Sequence, residues 1–289
     1  MVQYSCFVAS ALLPGTLYIV STPIGNLEDI SYRAVRVLSE VNLIAAEDTR
    51  HTAKLLRHYG ITTRRISLHE HNETKKIPTL LRRLTRGETV ALVSDAGTPV
   101  ISDPGGRFAR AALNDGLRVE SIPGPTAVIS ALVSSGLATE SFTFIGFPPY
   151  RSQARKSFFS SVVHYRRPVV FFEAPHRLRN SLTDLQEQIG ERTVAVCGEM
   201  TKIHQSSVIG PISHVLDVLT TPRGEFTVVI SAASRKLGLS ELPSDHDLDL
   251  EFGHLTSNGR TRREAIRELA GRYGKTSRYI YQRLEVAKG

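Results

Sequence analysis

The chain has 289 residues, of which 41% are hydrophobic and 22% are charged, a balance typical of a folded globular protein. The length suffices for two domains with separate cores, and no apolar run approaches the ~18 residues of a membrane span. The net charge of +8 permits a polyanionic partner. The two cysteines, Cys6 and Cys197, exclude a disulfide framework and favour a reducing cytoplasm.

Strand-like and helical patterns alternate along the first half of the chain. Residues 1–13 precede the first convincing strand, and we expect them to form an N-terminal extension. Strands are predicted at Thr16–Ser21, Leu43–Ala46, Arg65–Leu68, Thr89–Val93 and Val119–Ile122. Helices are predicted at Tyr32–Leu38, Thr52–Tyr59, Thr74–Leu84 and Phe108–Leu113. This order predicts a mainly parallel sheet with helices on both faces and its ligand loops at one edge.

A second lobe is expected after a helix at Thr126–Ser135, which ends at Gly136. We place the first lobe at residues 14–137 and the second at 138–234, with a cleft between them. Strands of the second lobe are predicted at Phe142–Ile145, Val169–Phe172, Thr193–Cys197 and Phe226–Ile230. Its helices are predicted at Arg155–Val163, Leu178–Ile189 and Ile212–Leu219.

The C-terminal part changes abruptly in charge. Residues 237–253 contain five acidic residues and no Lys or Arg, whereas residues 254–289 contain nine Lys or Arg against three Glu. We interpret 235–253 as an acidic linker and 254–289 as a basic module of two short helices. Thr261 and Glu264 have the spacing of a capping box. The module is either a helix-turn-helix-like RNA-binding unit or a solvated accessory hairpin.

The loop Ser94–Gly106 is the most informative segment, because it follows a strand and leads into a helix. It contains three glycines and two acidic residues: Gly97, Gly105, Gly106, Asp95 and Asp103. Glycine allows close backbone approach and positive φ, and the carboxylates suit hydroxyl, amine or cationic groups. The composition favours a ligand-binding loop over an ordinary crossover.

Several common sites are missing from the sequence. It has no G-x-G-x-x-G, no P-loop and no G-x-S-x-G elbow, which disfavours dinucleotide binding, P-loop phosphate binding and α/β-hydrolase chemistry. His69 and His71 flank Glu70 without a third metal ligand, so a surface or substrate role is favoured over a metal site.

Five further segments stand out, four of them at predicted strand ends: Ser21–Leu27, Ala46–Arg50, Ile122–Ala127, Phe172–Arg177 and Arg223–Phe226. Together with the loop Ser94–Gly106 they resemble the tetrapyrrole methylase family, the class III methyltransferases that use S-adenosylmethionine. Within it, T-P-I-G-N-L, A-E-D-T-R, S-D-A-G-T-P-V-I-S-D-P-G and E-A-P-H-R are similar to the ribosomal RNA small subunit methyltransferase I group. The resemblance covers roughly residues 14–233. Gly198 departs from it, since we expect Arg there.

This resemblance implies a fold, an activity and partners. The fold would be two-lobed α/β, with a mainly parallel sheet in the first lobe, a mixed sheet in the second and a small helical C-terminal module. The implied activity is transfer of the methyl group of S-adenosylmethionine, without a metal, to the ribose 2′-hydroxyl of a cytidine in the decoding region of 16S rRNA. The implied partner is the small ribosomal subunit, and the implied form is a cytoplasmic homodimer with no membrane attachment.

The resemblance also implies the site residues. Those expected to bind the cofactor are Asp95, Ala96, Gly97, Thr98, Val100, Thr126, Ala127, Phe172 and Glu173. Asp48, with Arg50 beside it, is favoured as the catalytic proton acceptor over His51, Asp95, Asp103, His69 and Glu173. A structural salt bridge between Asp48 and Arg50 is an equally weighted alternative.

Substrate-binding residues are expected at Asn26, His176, Arg177 and Tyr150. Each has a structural alternative: an Asx turn for Asn26, helix capping for His176 and Arg177, and loop shaping for Tyr150. The RNA footprint is expected to include the tail and the residues Arg64, Arg65, Lys75, Lys76, Arg82, Arg83, Arg151, Arg155 and Lys156.

Two other functions remain open at this point. One is methylation of a tetrapyrrole carbon by the same fold, and the other is RNA binding without catalysis. The basic tail favours RNA as the substrate, because a corrinoid enzyme needs no such charge.

Overall fold

The computed structural model describes residues 12–138, 140–233, 244–257, 260–273 and 275–286. Of the expected N-terminal extension, residues 1–11 lie outside these ranges. Within the ranges, every helix is too short or too polar to cross a lipid bilayer.

The first lobe contains a five-stranded sheet in which every pairing is parallel, as predicted. Its strands are β1 (Thr16–Val20), β2 (Leu43–Ala46), β3 (Arg65–Ser67), β4 (Val90–Val93) and β5 (Arg118–Ile122), in the spatial order β3-β2-β4-β1-β5. The helices between and after them are α1 (Tyr32–Glu40), α2 (Thr49–His58), α3 (Glu73–Thr85), α4 (Gly106–Asn114) and α5 (Ala127–Ser134). Strands β2 and β4 are buried at every residue, as expected for central strands covered on both faces.

The helices of this lobe divide between the two faces of the sheet. Helices α1 and α2 pack on one face, around Val37, Leu38 and Leu56. Helices α3 and α4 pack on the other, around Leu80 and Phe108. The helices that follow the adjacent strands β1 and β4 therefore leave on opposite faces, which opens a crevice at the carboxyl ends of those strands.

The second lobe contains a mixed five-stranded sheet, as the resemblance implied. Its strands are β6 (Thr143–Phe144), β7 (Val169–Glu173), β8 (Thr193–Gly198), β9 (Ser206–Pro211) and β10 (Phe226–Ile230), in the spatial order β6-β7-β10-β8-β9. Helices α6 (Ser152–Ser160), α7 (Pro175–Ile189) and α8 (Ile212–Val218) pack on one face, and α5 covers the other. Strand β9 was not predicted, because it is a largely exposed edge strand without a run of buried residues.

The described residues after 243 form three helices where two were predicted: α9 (Asp245–Ser257), α10 (Arg262–Tyr273) and α11 (Ser277–Val286). Of the predicted acidic linker, residues 235–243 lie outside the described ranges. The prediction of an acidic linker at 235–253 was wrong from Asp245 onward, where the chain is helical. Leu248 is fully buried against α10 and α11, with Phe252 and Leu255 packed beside it. The sequence analysis did not recognise this apolar stripe, because acidic residues lie between its members. The Glu264 carboxylate accepts a hydrogen bond from the backbone N–H of Thr261 (2.9 Å), which confirms the capping box.

One basic residue assigned to the RNA footprint lies in the core of the second lobe. The Arg155 side chain is 6% exposed and forms an ion pair with Asp184, whose own side chain is 8% exposed. Its Nε donates to Asp184 Oδ2 (2.7 Å), and a second nitrogen donates to the Tyr150 carbonyl (2.9 Å). Arg155 is therefore a structural residue that joins α6 to α7, and it is not available to RNA.

Replacing Arg155 with Met should lower the free energy of unfolding by about 3–5 kcal/mol, because the Asp184 carboxylate stays buried with its main partner removed. Chemical denaturation measures the change. Lys156→Met is the matched control, since Lys156 contacts the same carboxylate from a more exposed position (3.7 Å) and should cost less than about 1 kcal/mol. Equal losses for the two variants would contradict the buried role of Arg155.

Candidate functional site

The loops after β1 and β4 are joined at the carboxyl edge of the parallel sheet. The Thr22 N–H donates to the Gly97 carbonyl (2.8 Å), and the Gly97 N–H donates back to the Thr22 carbonyl (3.0 Å). Gly97 has φ of 79°, a left-handed conformation that glycine adopts without strain. This reciprocal pair fixes the two loops against each other across the crevice.

The loop after β5 is tied to the same point. Thr98 Oγ1 lies 3.0 Å from Ser21 Oγ and donates to the Pro125 carbonyl (3.3 Å). A Cβ on Gly124 would lie 3.0 Å from Ser21 Cβ, so the loop after β5 approaches that after β1 closely. Three of the segments that the sequence singled out therefore converge at one edge of the sheet.

A cavity of about 410 Å³ lies where this edge faces the second lobe. The first lobe contributes the loop from Asp95 to Asp103 and the start of α5. The second lobe contributes Phe147, Phe172, Met200 and Phe226. The volume is within the range of roughly 300–1,000 Å³ that is usual for small-molecule sites.

Backbone strain is concentrated around this cavity. Among the described residues, four that are not glycine have positive φ: Val100 (78°), Ser102 (63°), Glu199 (49°) and Thr201 (65°). Ser102 and Glu199 line the cavity, and the other two directly adjoin lining residues. Such conformations cost on the order of 1–3 kcal/mol each and occur mainly at functional sites.

Eight of the nine residues predicted to bind the cofactor line the cavity: Asp95, Ala96, Gly97, Thr98, Thr126, Ala127, Phe172 and Glu173. Val100 does not line it, and its side chain packs instead against the core between the sheet and α4. The role of these nine residues as cofactor ligands stays a prediction.

The Glu173 carboxylate is buried and fully engaged. It accepts hydrogen bonds from the Ser181 hydroxyl and from the Ala174 N–H (2.9 Å). Arg177 Nε lies 3.3 Å from Glu173 Oε1, the oxygen that also accepts from Ala174, and forms an ion pair with it. These partners fix the position of the Glu173 carboxylate in the wall of the cavity.

Three acidic residues in the loops after β2 and β4 are connected by hydrogen bonds beside the cavity. The Asp95 N–H donates to Glu47 Oε2 (3.3 Å), and the Asp48 N–H donates to Asp95 Oδ1 (3.1 Å). Burial, helped by the charges of Asp95 and Asp48, raises the pKa of Glu47. The sequence analysis did not single out Glu47. The observation that favoured Asp48, its position at the end of β2, applies equally to Glu47.

Asp103 lies in the same loop, five residues beyond Thr98. Burial raises its pKa to about 6, and the charges of Glu47 and Asp95 act in the same direction. A hydrogen bond with Ser94 acts against this rise. Asp103 therefore binds a proton far more strongly than an exposed carboxylate does.

Asp48 and Arg50 form a tight pair at the start of α2. Arg50 donates to the two carboxylate oxygens of Asp48 from its guanidinium (2.7 and 3.2 Å) and from its backbone N–H (2.7 Å). These hydrogen bonds hold the pKa of Asp48 well below its usual range. The pair does not line the cavity, and its catalytic role stays a prediction beside the structural alternative.

Asn26 forms the Asx turn that was the structural alternative for it. Its side-chain carbonyl accepts from the Glu28 N–H (3.1 Å). Its backbone N–H donates to Thr201 Oγ1 (3.0 Å), which links the loop after β1 to the second lobe.

The other predicted substrate residues belong to the second lobe and do not line the cavity. Arg177 donates to the carbonyls of Pro148 (2.6 Å) and Pro149 (3.0 Å), and its guanidinium lies over the Tyr150 ring at 5.5 Å. Arg177 therefore holds the loop that presents Tyr150, whose side chain is 77% exposed. His176 is exposed at the start of α7.

The sequence analysis did not single out several residues that the second lobe contributes to the cavity. Phe147 and Met200 carry no motif of their own. They follow β6 and β8, and the pairing of β6, β7, β10 and β8 brings them to the cavity. Gly198 ends β8 directly beneath Phe226: a Cβ there would lie 2.6 Å from the Phe226 ring. An arginine, the residue expected at this position, would displace that ring.

Among the described residues, no group of three or more His, Cys, Asp or Glu side chains is arranged to hold a metal ion. His69 and His71 belong to a neighbouring cavity.

Comparison with known proteins identifies the family. Residues 16–216 match the family model of Tetrapyrrole (Corrin/Porphyrin) Methylases. The chain therefore belongs to the tetrapyrrole methylase family. A uroporphyrin-III C-methyl transferase from Thermus thermophilus, solved in complex with S-adenyl homocysteine, shares the fold with a TM-score of 0.55 at 17% identity, covering 76% of this chain and 99% of that one.

Full-length relatives narrow the assignment. A Synechocystis sp. protein named ribosomal RNA small subunit methyltransferase I is 45% identical over 273 residues, 93% of this chain and 96% of that protein. A protein of the same name from Halalkalibacterium halodurans is 40% identical over 275 residues, covering 92% and 93% of the two chains. Within the family, the chain belongs to the ribosomal RNA small subunit methyltransferase I group.

Replacing Gly198 with Ala should lower the free energy of unfolding by about 1–3 kcal/mol, because the added methyl group overpacks against the Phe226 ring. Chemical denaturation measures the loss. Gly253→Ala is the control, since nothing lies within 4 Å of a Cβ at that helical position, and it should be neutral or stabilising. A Gly198→Ala protein as stable as the parent would show that Phe226 is free to move.

Proposed function

We propose that this protein transfers the methyl group of S-adenosylmethionine to the ribose 2′-hydroxyl of a cytidine in the decoding region of 16S rRNA. The observation that carries the proposal is the cavity at the joined ends of β1, β4 and β5, in a chain whose full-length relatives are named as rRNA methyltransferases. The fold alone does not identify the methyl acceptor. The choice of rRNA therefore rests on the names of the relatives and on the net positive charge of the chain.

The residues of the cavity suit S-adenosylmethionine. Its apolar side, Phe147, Phe172 and Met200, matches the flat adenine ring. Its acidic side, with Asp95 and Glu173, matches a ribose, an amino group and a positively charged sulfur. Gly97 lines the cavity without a side chain, and its positive φ suits glycine, so its backbone is open to a ligand.

The cofactor supplies an electrophilic methyl group on a positively charged sulfur. The residues of this chain supply position: the Thr22–Gly97 and Thr98–Pro125 contacts fix the loops that hold the donor. Fixing two reactants in line contributes up to about 7–11 kcal/mol to lowering a barrier. The acceptor oxygen also needs a proton acceptor, and of the residues named from the sequence we retain Asp48 as one proposal, with Arg50 holding it in place.

RNA recognition is proposed to use exposed cations on both parts of the molecule. Arg263 and Arg267 are exposed on α10 and line a groove of about 400 Å³ with Ser277 and Tyr281 of α11. Tyr150, exposed on the second lobe, presents a ring on which an unpaired base can stack.

A tetrapyrrole carbon methyltransferase is the second candidate, favoured by the architecture of the structural neighbour. The two candidates differ in acceptor, so one assay separates them. Purified protein is incubated with radiolabelled S-adenosylmethionine and small ribosomal subunits lacking the modification, and the labelled nucleotide is mapped by mass spectrometry. Label on a cytidine 2′-oxygen supports the proposal. Label only on a uroporphyrinogen-type acceptor, offered in a parallel reaction, would reverse it.

Asp95→Asn should weaken the binding of S-adenosylmethionine at least tenfold, because it removes a negative charge from the wall of the cavity proposed to hold the positively charged sulfur. Isothermal calorimetry measures the affinity. Asp115→Asn, an exposed position at the end of α4, is the control and should bind normally. Unchanged affinity in Asp95→Asn would remove this loop from the cofactor site.

The double variant Arg263→Gln, Arg267→Gln should weaken RNA binding and flatten its salt dependence. Removing one ion pair with a phosphate lowers the slope of log K against log salt by about 0.7–0.9. Filter binding of 16S rRNA at several salt concentrations measures this slope. Arg36→Gln is the control, because Arg36 pairs with Glu40 on α1 (3.1 Å). A slope equal to that of the parent protein would make the C-terminal module an accessory unit that does not touch RNA.

A further inference from the structure

The turn between β8 and β9 contacts the loop after β1 directly beside the cavity. The Asn26 N–H donates to Thr201 Oγ1 (3.0 Å), a hydrogen bond that joins the first lobe to the second. Ile24 and Met200 line the cavity, and each lies within two residues of this hydrogen bond along the chain. The two lobes are therefore connected immediately outside the cavity wall.

Gly25 shows how closely the lobes approach at this point. A Cβ on Gly25 would lie 2.8 Å from the Met200 carbonyl oxygen, 2.7 Å from Thr201 Oγ1 and 2.5 Å from Lys202 Cγ. Gly25 is not among the glycines with positive φ, so its own backbone conformation permits a side chain. Glycine is therefore required here by the contact with the second lobe and not by the conformation of its own loop.

Thr201 makes this contact from a strained conformation. Its φ of 65° lies in the left-handed region, where a β-branched residue is a genuine outlier. Glycine adopts the same φ without strain, so the threonine carries a conformational cost that glycine would avoid. What the threonine adds is the hydroxyl that accepts the Asn26 N–H. The strain is therefore offset by a contact between the lobes.

The second lobe holds this turn in place. The Thr201 N–H donates to Gln205 Oε1 (2.7 Å). The Lys202 N–H donates to the Glu199 carbonyl (3.0 Å), which closes the turn. The Lys202 ammonium contacts the carboxylates of Glu199 (2.9 Å) and Glu225 (3.4 Å), two residues that line the cavity. One turn therefore carries both a part of the cavity wall and the contact with the first lobe.

We propose that Thr201 is a positioning residue: its hydroxyl and its strained backbone hold the loop after β1 against the second lobe and keep the two lobes closed around the cofactor. The inference rests on the proposed function only in taking this cavity as the S-adenosylmethionine site, and it is independent of the methyl acceptor. Thr201 does not line the cavity, so it acts through Ile24 and Met200, the lining residues beside the contact. Loss of the contact separates these residues and releases the cofactor faster.

The first test separates the contact from the stability of the fold. Thr201→Gly removes the hydroxyl and also the strain, so its midpoint of chemical denaturation should stay close to that of the parent. Its affinity for S-adenosylmethionine, measured by calorimetry, should fall about 2–10-fold, the loss expected for one hydrogen bond. Thr201→Ser keeps the hydroxyl and should bind as the parent does. Parent-like affinity in Thr201→Gly, or an equal loss in Thr201→Ser, would overturn the proposal.

Gly25→Ala tests the same contact from the first lobe. The added methyl group meets the Met200 carbonyl and the Thr201 hydroxyl, so the lobes must separate. Dissociation of S-adenosylmethionine, measured by surface plasmon resonance, should become about tenfold faster. Gly253→Ala is the control, because nothing lies within 4 Å of a Cβ there, and it should release the cofactor at the parent rate. A parent-like rate in Gly25→Ala would refute the close approach of the lobes and the role of Thr201 with it.

The contact is also measured in the protein without cofactor. Hydrogen exchange of the Asn26 amide, followed by NMR, should be faster in Thr201→Gly than in the parent or in Thr201→Ser, because the amide loses its acceptor. Faster exchange, in a protein whose parent form does not bind S-adenosylmethionine, would support the contact and reject the proposed cofactor site. Binding by the parent together with unchanged exchange in Thr201→Gly would reject the role of Thr201 alone.

Discussion

The reciprocal backbone hydrogen bonds between Thr22 and Gly97 are the constraint on which the site depends. Strands β1 and β4 are neighbours, but the helices that follow them cover opposite faces of the sheet, so their loops would otherwise diverge. The pair holds the loops together, and Thr98 extends the connection to the loop after β5. The positive φ of Val100 and Ser102 is maintained because both ends of that loop are fixed.

Carboxylates gather at the same edge, and their surroundings give them different properties. Asp48 accepts three hydrogen bonds from Arg50, which lowers its pKa. Glu47 and Asp103 are shielded from water and lie near other negative charges, which raises theirs. One edge of the sheet therefore carries a carboxyl group with a lowered pKa and two carboxyl groups with raised pKa values.

The second lobe completes the cavity through packing rather than through motifs. Phe226 enters the cavity wall because Gly198 on the paired strand leaves room for its ring. The strained turn at Glu199 is held by Lys202, which donates to the Glu199 carboxylate (2.9 Å), and by the N–H of Glu225 (3.0 Å). The Thr201 hydroxyl then reaches the loop after β1. The two lobes thus meet at the site through fixed polar contacts.

The sequence by itself determined the alternation of strands and helices, the parallel first sheet and the loops at its edge. These features follow from hydrophobic periodicity and from the backbone preferences of glycine and proline, which depend on residues near in the sequence. Eight of the nine cofactor residues predicted from it line the cavity. Only the tertiary structure decided that Arg155 is buried with Asp184, that residues 245–253 are helical and that Asp103 faces two cavities. These outcomes depend on partners distant in the sequence: Asp184 for Arg155, Ile280 for the helix at 245–253 and Glu47 for Asp103. Burial, ion pairing and shared cavity walls arise only when the chain brings such partners together.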